Sequence, residues 1–121
     1  MAWEEVCDVP RLIRMSELPG SDGARRFEAG RYGANVSFFV IDSEPGEGPE
    51  PHSHPYGEVF VVLSGEVTFT VDGNAIEAGS RDIVVAEAET VHSFVNAGGG
   101  RLHMVNIHAS GEMITRWLEE S

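Results

Sequence analysis

The run from Glu58 to Glu77 restricts the possible folds of this chain more than any other stretch. An apolar segment, Glu58–Leu63, is followed by a Ser-Gly break and then by Glu66–Val71, in which apolar and polar residues alternate strictly. Strict alternation is typical of an antiparallel β-strand with one buried face. Asp72-Gly73, which comes next, is a strong signal for a two-residue hairpin turn. We therefore predict consecutive antiparallel strands in this run.

Short segments rich in β-forming residues lie on both sides of this run, separated by connections rich in glycine, proline and acidic residues. They are Asn35–Ile41, Arg81–Ala86, Val91–Asn96 and Leu102–His108. Many short strands at close spacing indicate an all-β sandwich or barrel. The sequence thus predicts an all-β fold.

The end of the chain has a different periodicity. Met113, Ile114, Trp117 and Leu118 recur at helical spacing, and Ser110 can cap a helix that begins just after it. We therefore predict a short C-terminal helix over about residues 111–119. No boundary or internal repeat divides the 121 residues, so we expect a single domain over residues 1–121.

Charge and cysteine content exclude several kinds of partner. The chain has 20 acidic and 8 basic residues, a formal net charge of -12, which argues against binding to nucleic acid or to an anionic membrane. Cys7 is the single cysteine and has no partner for an internal disulfide. The sequence shows neither a secretory signal nor an apolar run of membrane-spanning length. We expect a cytoplasmic protein.

Three predicted strand segments are apolar on both faces. These are Phe38–Ile41, Glu58–Leu63 and Ile83–Val85. A strand in a two-layered β fold needs only one apolar face, so another surface must cover the second one, unless the residues lie singly exposed. A second copy of the chain is the simplest cover, and we expect a homodimer.

A histidine-rich segment carries the main chemical signal. His52, His54 and Glu58 occupy even-numbered positions, and on an extended strand even positions share a face. A further histidine, His92, lies in the predicted strand Val91–Asn96. Imidazole and carboxylate ligands together suit a divalent transition metal, here Fe, Mn, Ni, Co, Cu or Zn. We therefore predict that these side chains converge on one metal ion.

The spacing of these residues resembles a known pattern. Gly46, His52, His54, Glu58 and Gly65 match every defined position of the first sequence motif of the cupin superfamily. The match involves five positions at fixed spacing and is therefore specific.

The second cupin motif is met in part. Gly79 opens it, and His92 and Asn96 close it at the expected spacing, but Ala86 and Glu89 stand where proline and glycine are expected. The chain resembles a small single-domain cupin, with the likeness extending over about residues 34–109. The resemblance implies a double-stranded β-helix, or jelly-roll barrel.

The resemblance also implies the site. One divalent metal ion would be bound by His52, His54, Glu58 and His92, with a small organic molecule at its open positions. Among cupin activities the resemblance favours a metal-dependent oxidoreductase of dioxygenase type. A metal-dependent isomerase or lyase, and a non-catalytic module that binds a sugar or another small ligand, are the alternatives.

Three further residues are candidates for acid–base chemistry beside the metal. Tyr56 lies between predicted ligands and can reach the mouth of the pocket as a hydrogen-bond donor. His103 and His108 lie on opposite faces of the last predicted strand, so at most one of them faces the interior. Either histidine can serve as a general acid or base.

Overall fold

Residues 11–118 are described by the computed structural model, so Cys7 lies outside the described residues. Within residues 11–118 the strands form two antiparallel sheets, with the orders β1-β2-β3-β10-β5-β8 and β11-β4-β9-β6-β7. The strands are β1 (Gly20–Ser21), β2 (Ala24–Phe27), β3 (Ser37–Ser43), β4 (His52–Ser53), β5 (Glu58–Ser64), β6 (Glu66–Val71), β7 (Asn74–Gly79), β8 (Ile83–Ala86), β9 (His92–Asn96), β10 (Leu102–His108) and β11 (Arg116–Trp117). Two short 3-10 helices are also present in this part of the chain, at Met15–Glu17 and Ala29–Tyr32.

The predicted hairpin is confirmed in the five-stranded sheet. β6 and β7 pair in register up to Val71 and Asn74, and Asp72 and Gly73 both have positive φ, of 52° and 82°. Positive φ at both central residues is the geometry of the turn that matches strand twist in a two-residue hairpin. The alternation in β6 buries Val67 and Phe69 against the other sheet.

Strands distant in the sequence pair at the centre of the six-stranded sheet. β10 lies between β3 and β5, so that Val105 faces Val40 on one side and Val61 on the other. Jelly-roll folds are built from pairings of this kind between segments far apart in the chain. They bring the start of β5 and the end of β10 side by side.

Apolar side chains fill the space between the two sheets. The rings of Phe60 and Phe69, one from each sheet, lie 4.8 Å apart between centroids. The buried hydrophobic core consists of Ile41, Phe60, Val62, Val67, Phe69, Val84, Ala86, Phe94, Leu102 and Met104. Phe60 also contacts the imidazole of His92, with 5.7 Å between the ring centroids. The apolar core therefore borders directly on a set of buried polar residues.

The outer face of the six-stranded sheet is apolar as well. Leu63 on β5 and Ile83 and Val85 on β8 are each more than half exposed. Their neighbours on the same strands, Val62 and Val84, are buried. These strands thus carry apolar residues on both faces, as their sequences indicate.

The predicted C-terminal helix is not confirmed. Residues 111–115 form bends and irregular backbone without a helical turn, and Trp117 in β11 pairs with His52 in β4. The backbone N–H groups of Met113 and Ile114 donate to the Glu28 carboxylate and to the Tyr56 hydroxyl. These contacts with distant residues replace the hydrogen bonds that a helix would form, and they outweigh a helical periodicity only about eight residues long.

Among residues 11–118 we find no helix with the length and hydrophobicity needed to cross a bilayer.

Gly65, the turn between β5 and β6, accepts no side chain without strain. Its φ is +98°, and a Cβ atom there would lie 2.6 Å from the carbonyl oxygen of Arg101. We predict that Gly65→Ala lowers the free energy of unfolding by about 2 kcal/mol, through backbone strain and steric overlap. Urea denaturation measures this loss.

The matched control is Gly99→Ala, because a Cβ at Gly99 meets no atom within 4 Å. Its stability should lie within about 0.5 kcal/mol of the wild type. Equal stabilities for the two variants would contradict the strain at Gly65.

Candidate metal centre

Two cross-strand pairs, one from each sheet, face each other inside the barrel. In the five-stranded sheet His52 of β4 lies opposite His92 of β9. In the six-stranded sheet Glu58 of β5 lies opposite His108 of β10. His54 lies in the segment that carries the chain from one sheet to the other. The strand pairing thus concentrates polar side chains at one end of the core.

Four of these residues bring their ligand atoms close together. One nitrogen from each of His52, His54 and His92 and one oxygen of Glu58 all lie within 4.8 Å of one another. All four residues are buried, with 2–8% of their surface exposed. The convergence predicted from the sequence is present, but its cause differs. His52 and Glu58 belong to different sheets rather than to one extended strand.

Backbone carbonyls orient the three imidazoles. The Nδ1 atoms of His52, His54 and His92 lie 2.7, 2.8 and 2.9 Å from the carbonyl oxygens of Glu50, Ile114 and Thr90. A carbonyl oxygen only accepts a hydrogen bond, so each Nδ1 carries the proton. Each neutral imidazole then has an unprotonated Nε2, which is the state that binds a metal ion.

The Nε2 atoms surround the Glu58 carboxylate. His54 Nε2 and His92 Nε2 lie 3.1 and 3.0 Å from Glu58 Oε1. A lone pair on nitrogen and a carboxylate oxygen at this distance repel each other unless a positive charge lies between them. Nε2 of His54 is buried and has no well-aligned hydrogen-bond partner. Either extra protons on the imidazoles or a metal ion must balance this cluster, so the donor set fits a divalent cation.

The surroundings of Glu58 and His52 favour the protonation states in which these side chains can bind a metal ion. Burial raises the pKa of Glu58, but the surrounding imidazoles of His108, His54 and His92 outweigh this effect and hold that pKa well below its usual range. Burial lowers the pKa of His52, and the neighbouring imidazoles of His92 and His54 lower it further. The carboxylate is therefore charged and His52 is neutral at ordinary pH.

A fourth histidine lies behind the carboxylate. His108 Nε2 lies 3.2 Å from Glu58 Oε2, and its Nδ1 lies 2.7 Å from the Tyr56 hydroxyl. That hydroxyl accepts a hydrogen bond from the N–H of Ile114, so its own proton is available for His108 Nδ1. Burial raises the pKa of Tyr56, which keeps this proton in place. Tyr56, His108 and Glu58 thus form a connected row.

His103, by contrast, lies on the outer face of β10. About half of its side chain is exposed, and its Nε2 lies 3.7 Å from Asp42 Oδ1. The sequence indicates that only one of His103 and His108 can face the interior, and the structure shows that it is His108. His103 makes none of the contacts of the buried cluster.

The turn before His92 forms although its sequence differs from the cupin motif. Glu89, which stands where glycine is expected, has a φ of 67° in the left-handed region. Its N–H donates to the carbonyl oxygen of His54 over 2.7 Å, and its carboxylate pairs with Arg116 over 2.6 Å. These contacts hold the turn although glycine would adopt it with less strain.

A cavity of about 610 Å³ opens onto the cluster. His52, His54, Glu58 and His108 lie at its polar end. Its apolar walls are formed by Phe39, Ile41, Phe94 and Trp117. The ring of Trp117 lies 5.0 Å from that of His52. The sequence pattern does not indicate Trp117 or the Ile114 carbonyl as parts of the site, because it predicts a helix over that segment.

Comparison with known proteins agrees with this geometry. The profile of the family described as "Cupin domain" matches residues 39–108. Quercetin 2,3-dioxygenase of Bacillus subtilis is 32% identical over 92 residues, which are 71% of this chain and 27% of that protein. The chain therefore spans about a quarter of the length of this curated relative.

Solved structures show the same fold. Oxalate decarboxylase of Lactobacillus farciminis, solved as a formate complex, superposes with a TM-score of 0.78 at 16% identity, over 89% of this chain and 36% of that one. The oxalate decarboxylase of Bacillus subtilis, which has Mn(II) centres, superposes with a TM-score of 0.73 at 22% identity. The superposition covers 87% of this chain and 31% of that one.

A third solved structure is close to this chain in length. It is a conserved protein of Klebsiella pneumoniae with a double-stranded β-helix domain, which has a TM-score of 0.67 and 25% identity and covers 87% of this chain and 94% of its own. The family profile, the two-sheet barrel and the buried His/His/Glu/His cluster lead to one conclusion: this chain belongs to the cupin family.

Proposed function

We propose that His52, His54, Glu58 and His92 bind one divalent transition metal ion and that the protein uses it to oxidise a small organic molecule in the manner of a dioxygenase. The observation that carries this proposal is the buried cluster itself, in which one nitrogen from each of three imidazoles and one carboxylate oxygen lie within 4.8 Å of one another, and each imidazole has a backbone carbonyl at Nδ1. When bound, such an ion supplies Lewis acidity and, if redox-active, activation of dioxygen.

Access to the cluster supports a catalytic site rather than a structural one. Structural metal sites are closed by protein ligands, whereas catalytic sites keep a position open. Here His52, His54 and Glu58 all line the cavity, which admits a small molecule to the same atoms that would bind the metal. The likeness to quercetin 2,3-dioxygenase supports oxygenase chemistry over isomerase or lyase chemistry.

In this proposal the apolar walls exclude bulk water and bind the body of the substrate. Phe39 and Phe94 from opposite sheets would flank the substrate, and Trp117 would cover the His52 side. Removing water strengthens every charge interaction at the polar end of the cavity. The protein thereby orients the reacting end of the substrate toward the His/Glu cluster.

Tyr56 and His108 have a positioning role in this proposal. With the Tyr56 hydroxyl donating to Nδ1, His108 has its proton on Nε2, next to Glu58 Oε2. This arrangement would fix one carboxylate oxygen and leave Oε1 directed at His54 and His92. His108 also lines the cavity. His103 has no part in the proposal.

We also propose that the apolar outer face formed by Leu63, Ile83 and Val85 pairs with the same face of a second copy. A patch of exposed branched side chains at a sheet edge is typical of a self-complementary interface. Light scattering should give twice the molar mass of one chain.

Oxygen uptake tests the proposed reaction. Protein reconstituted separately with Fe(II), Mn(II), Ni(II), Co(II) and Cu(II) should consume dioxygen with at least one member of a panel of flavonols, catechols and enols. His92→Ala should lower the rate at least about 100-fold, because it removes a ligand. An oxygen electrode and mass spectrometry of the products measure both effects.

The control for this experiment is His103→Ala, which changes a histidine outside the cluster and should retain the rate. Conversion of a panel member by the metal-loaded protein without uptake of dioxygen would contradict the dioxygenase and favour an isomerase or lyase.

Tyr56→Phe tests the positioning role. The change removes the donor to His108 Nδ1 and keeps the ring, so we predict about ten-fold weaker metal binding and a shifted visible spectrum of the Co(II) form. Competition with a coloured chelator measures the affinity.

Tyr32→Phe is the matched control, because Tyr32 stacks on Phe27 away from the cluster. It should leave both the affinity and the spectrum unchanged. If Tyr56→Phe behaved in the same way, Tyr56 would have no role in holding Glu58.

A further inference from the structure

The outer part of the cavity is lined by charged residues of predominantly one sign. Asp22, Asp42, Glu44 and Glu47 line it, whereas Arg101 is the single lysine or arginine among the lining residues that the structure describes. A net negative lining at the mouth repels anions as they approach. The formal net charge of -12 on the whole chain adds to this effect.

The one arginine of the lining is already paired. Arg101 Nε lies 2.6 Å from Asp42 Oδ1, its Nη2 donates to the Asp42 carbonyl oxygen over 2.9 Å, and Nη1 lies 3.8 Å from Glu44 Oε2. The guanidinium therefore offers no free fork to a ligand carboxylate. Glu47 forms no ion pair within residues 11–118, and its Oε1 accepts the N–H of Glu44 over 2.8 Å.

The charge at the inner end of the cavity also limits the negative charge that a ligand can carry. A divalent cation bound by three neutral imidazoles and one carboxylate has a net charge of one positive unit, because a coordinating carboxyl group is deprotonated. One negative charge on a chelating ligand neutralises this centre. A second negative charge would have to be buried among Phe39, Ile41 and Phe94 or would face the carboxylates of the mouth.

We infer that the substrate is an apolar, ring-sized molecule that carries at most one negative charge at the metal, and that the carboxylates of the mouth weaken the binding of small dicarboxylates. This inference rests on the proposed metal site and narrows its substrate class to ring compounds with at most one negative charge, such as enols and hydroxyketones. Hydroxyl or amino groups at the far end of the substrate would face Glu44 and Glu47, which accept hydrogen bonds. This chain shares its fold with oxalate decarboxylases, but its cavity disfavours a substrate with two negative charges.

Two chelators with the same arrangement of donor oxygens but different charge test the inference on the Ni(II)-loaded protein. Oxalate and maltol both bind through two oxygens on adjacent carbons, but oxalate has two charges and no ring, whereas bound maltol has one charge and a ring. Calorimetric titrations at about 0.02 M and about 0.2 M ionic strength give the affinities. The double variant Glu44→Gln, Glu47→Gln should bind oxalate about three- to ten-fold more tightly than the wild type at low salt.

Salt should produce the same change in the wild type: oxalate binding strengthens as ionic strength rises, and maltol binding changes about half as much on a logarithmic scale. The matched control is Glu77→Gln, Glu87→Gln, which removes two exposed carboxylates that do not line the cavity. It should leave the oxalate affinity within about two-fold of the wild type.

Oxalate binding that weakens with salt, or that is the same in the two double variants, would overturn the inference and leave the metal site standing. Elemental analysis before each titration separates this result from failure of the site itself. A protein that takes up no Ni(II) would overturn the proposed metal centre and the inference together.

Discussion

The contact between the Glu58 carboxylate and the imidazoles around it is the interaction on which the rest of this structure depends. Glu58 is 3% exposed and lies within 3.2 Å of nitrogens from His54, His92 and His108. A carboxylate buried in a barrel core is stable only with compensating positive charge. The cluster at the end of the core therefore requires protons on the imidazoles or a bound cation to balance the Glu58 carboxylate.

The geometry of the cluster is determined by backbone rather than by side-chain packing alone. Three carbonyl oxygens, from Glu50, Thr90 and Ile114, each accept an Nδ1 proton from one imidazole. They come from three separate segments of the chain, so the site forms only when both sheets and the C-terminal segment are in place. Stability of the barrel and orientation of the three imidazoles thus depend on the same contacts.

Local patterns made much of the fold predictable. The alternation in β6 and the Asp72-Gly73 turn specify a hairpin without reference to the rest of the chain. The spacing of His52, His54, Glu58 and His92 by itself indicates a shared site, because a β barrel brings both segments to one end. The hairpin depends only on residues that are neighbours in the sequence. The shared site was predictable because the spacing of its His and Glu residues is the one found in cupins.

Features that depend on distant contacts were not predictable. The segment after Ser110 has a helical pattern but contains the two-residue strand β11 instead, because Trp117 pairs with His52 and Ile114 contacts Tyr56 and His54. The choice of His108 over His103 as the interior histidine depends on which face of β10 is turned toward the core, which no local pattern specifies. The paired state of Arg101 at the mouth likewise follows from a contact with Asp42, 59 residues away.

Metal content, measured by elemental analysis, tests the account most directly. The untagged wild-type protein should contain close to one divalent transition metal ion per chain, and the double variant His52→Ala, His54→Ala should contain almost none. Both proteins should be purified in parallel and exposed to the same metals. A wild type that binds no metal even after reconstitution, or a double variant that retains it, would contradict the claim that this cluster is a metal centre.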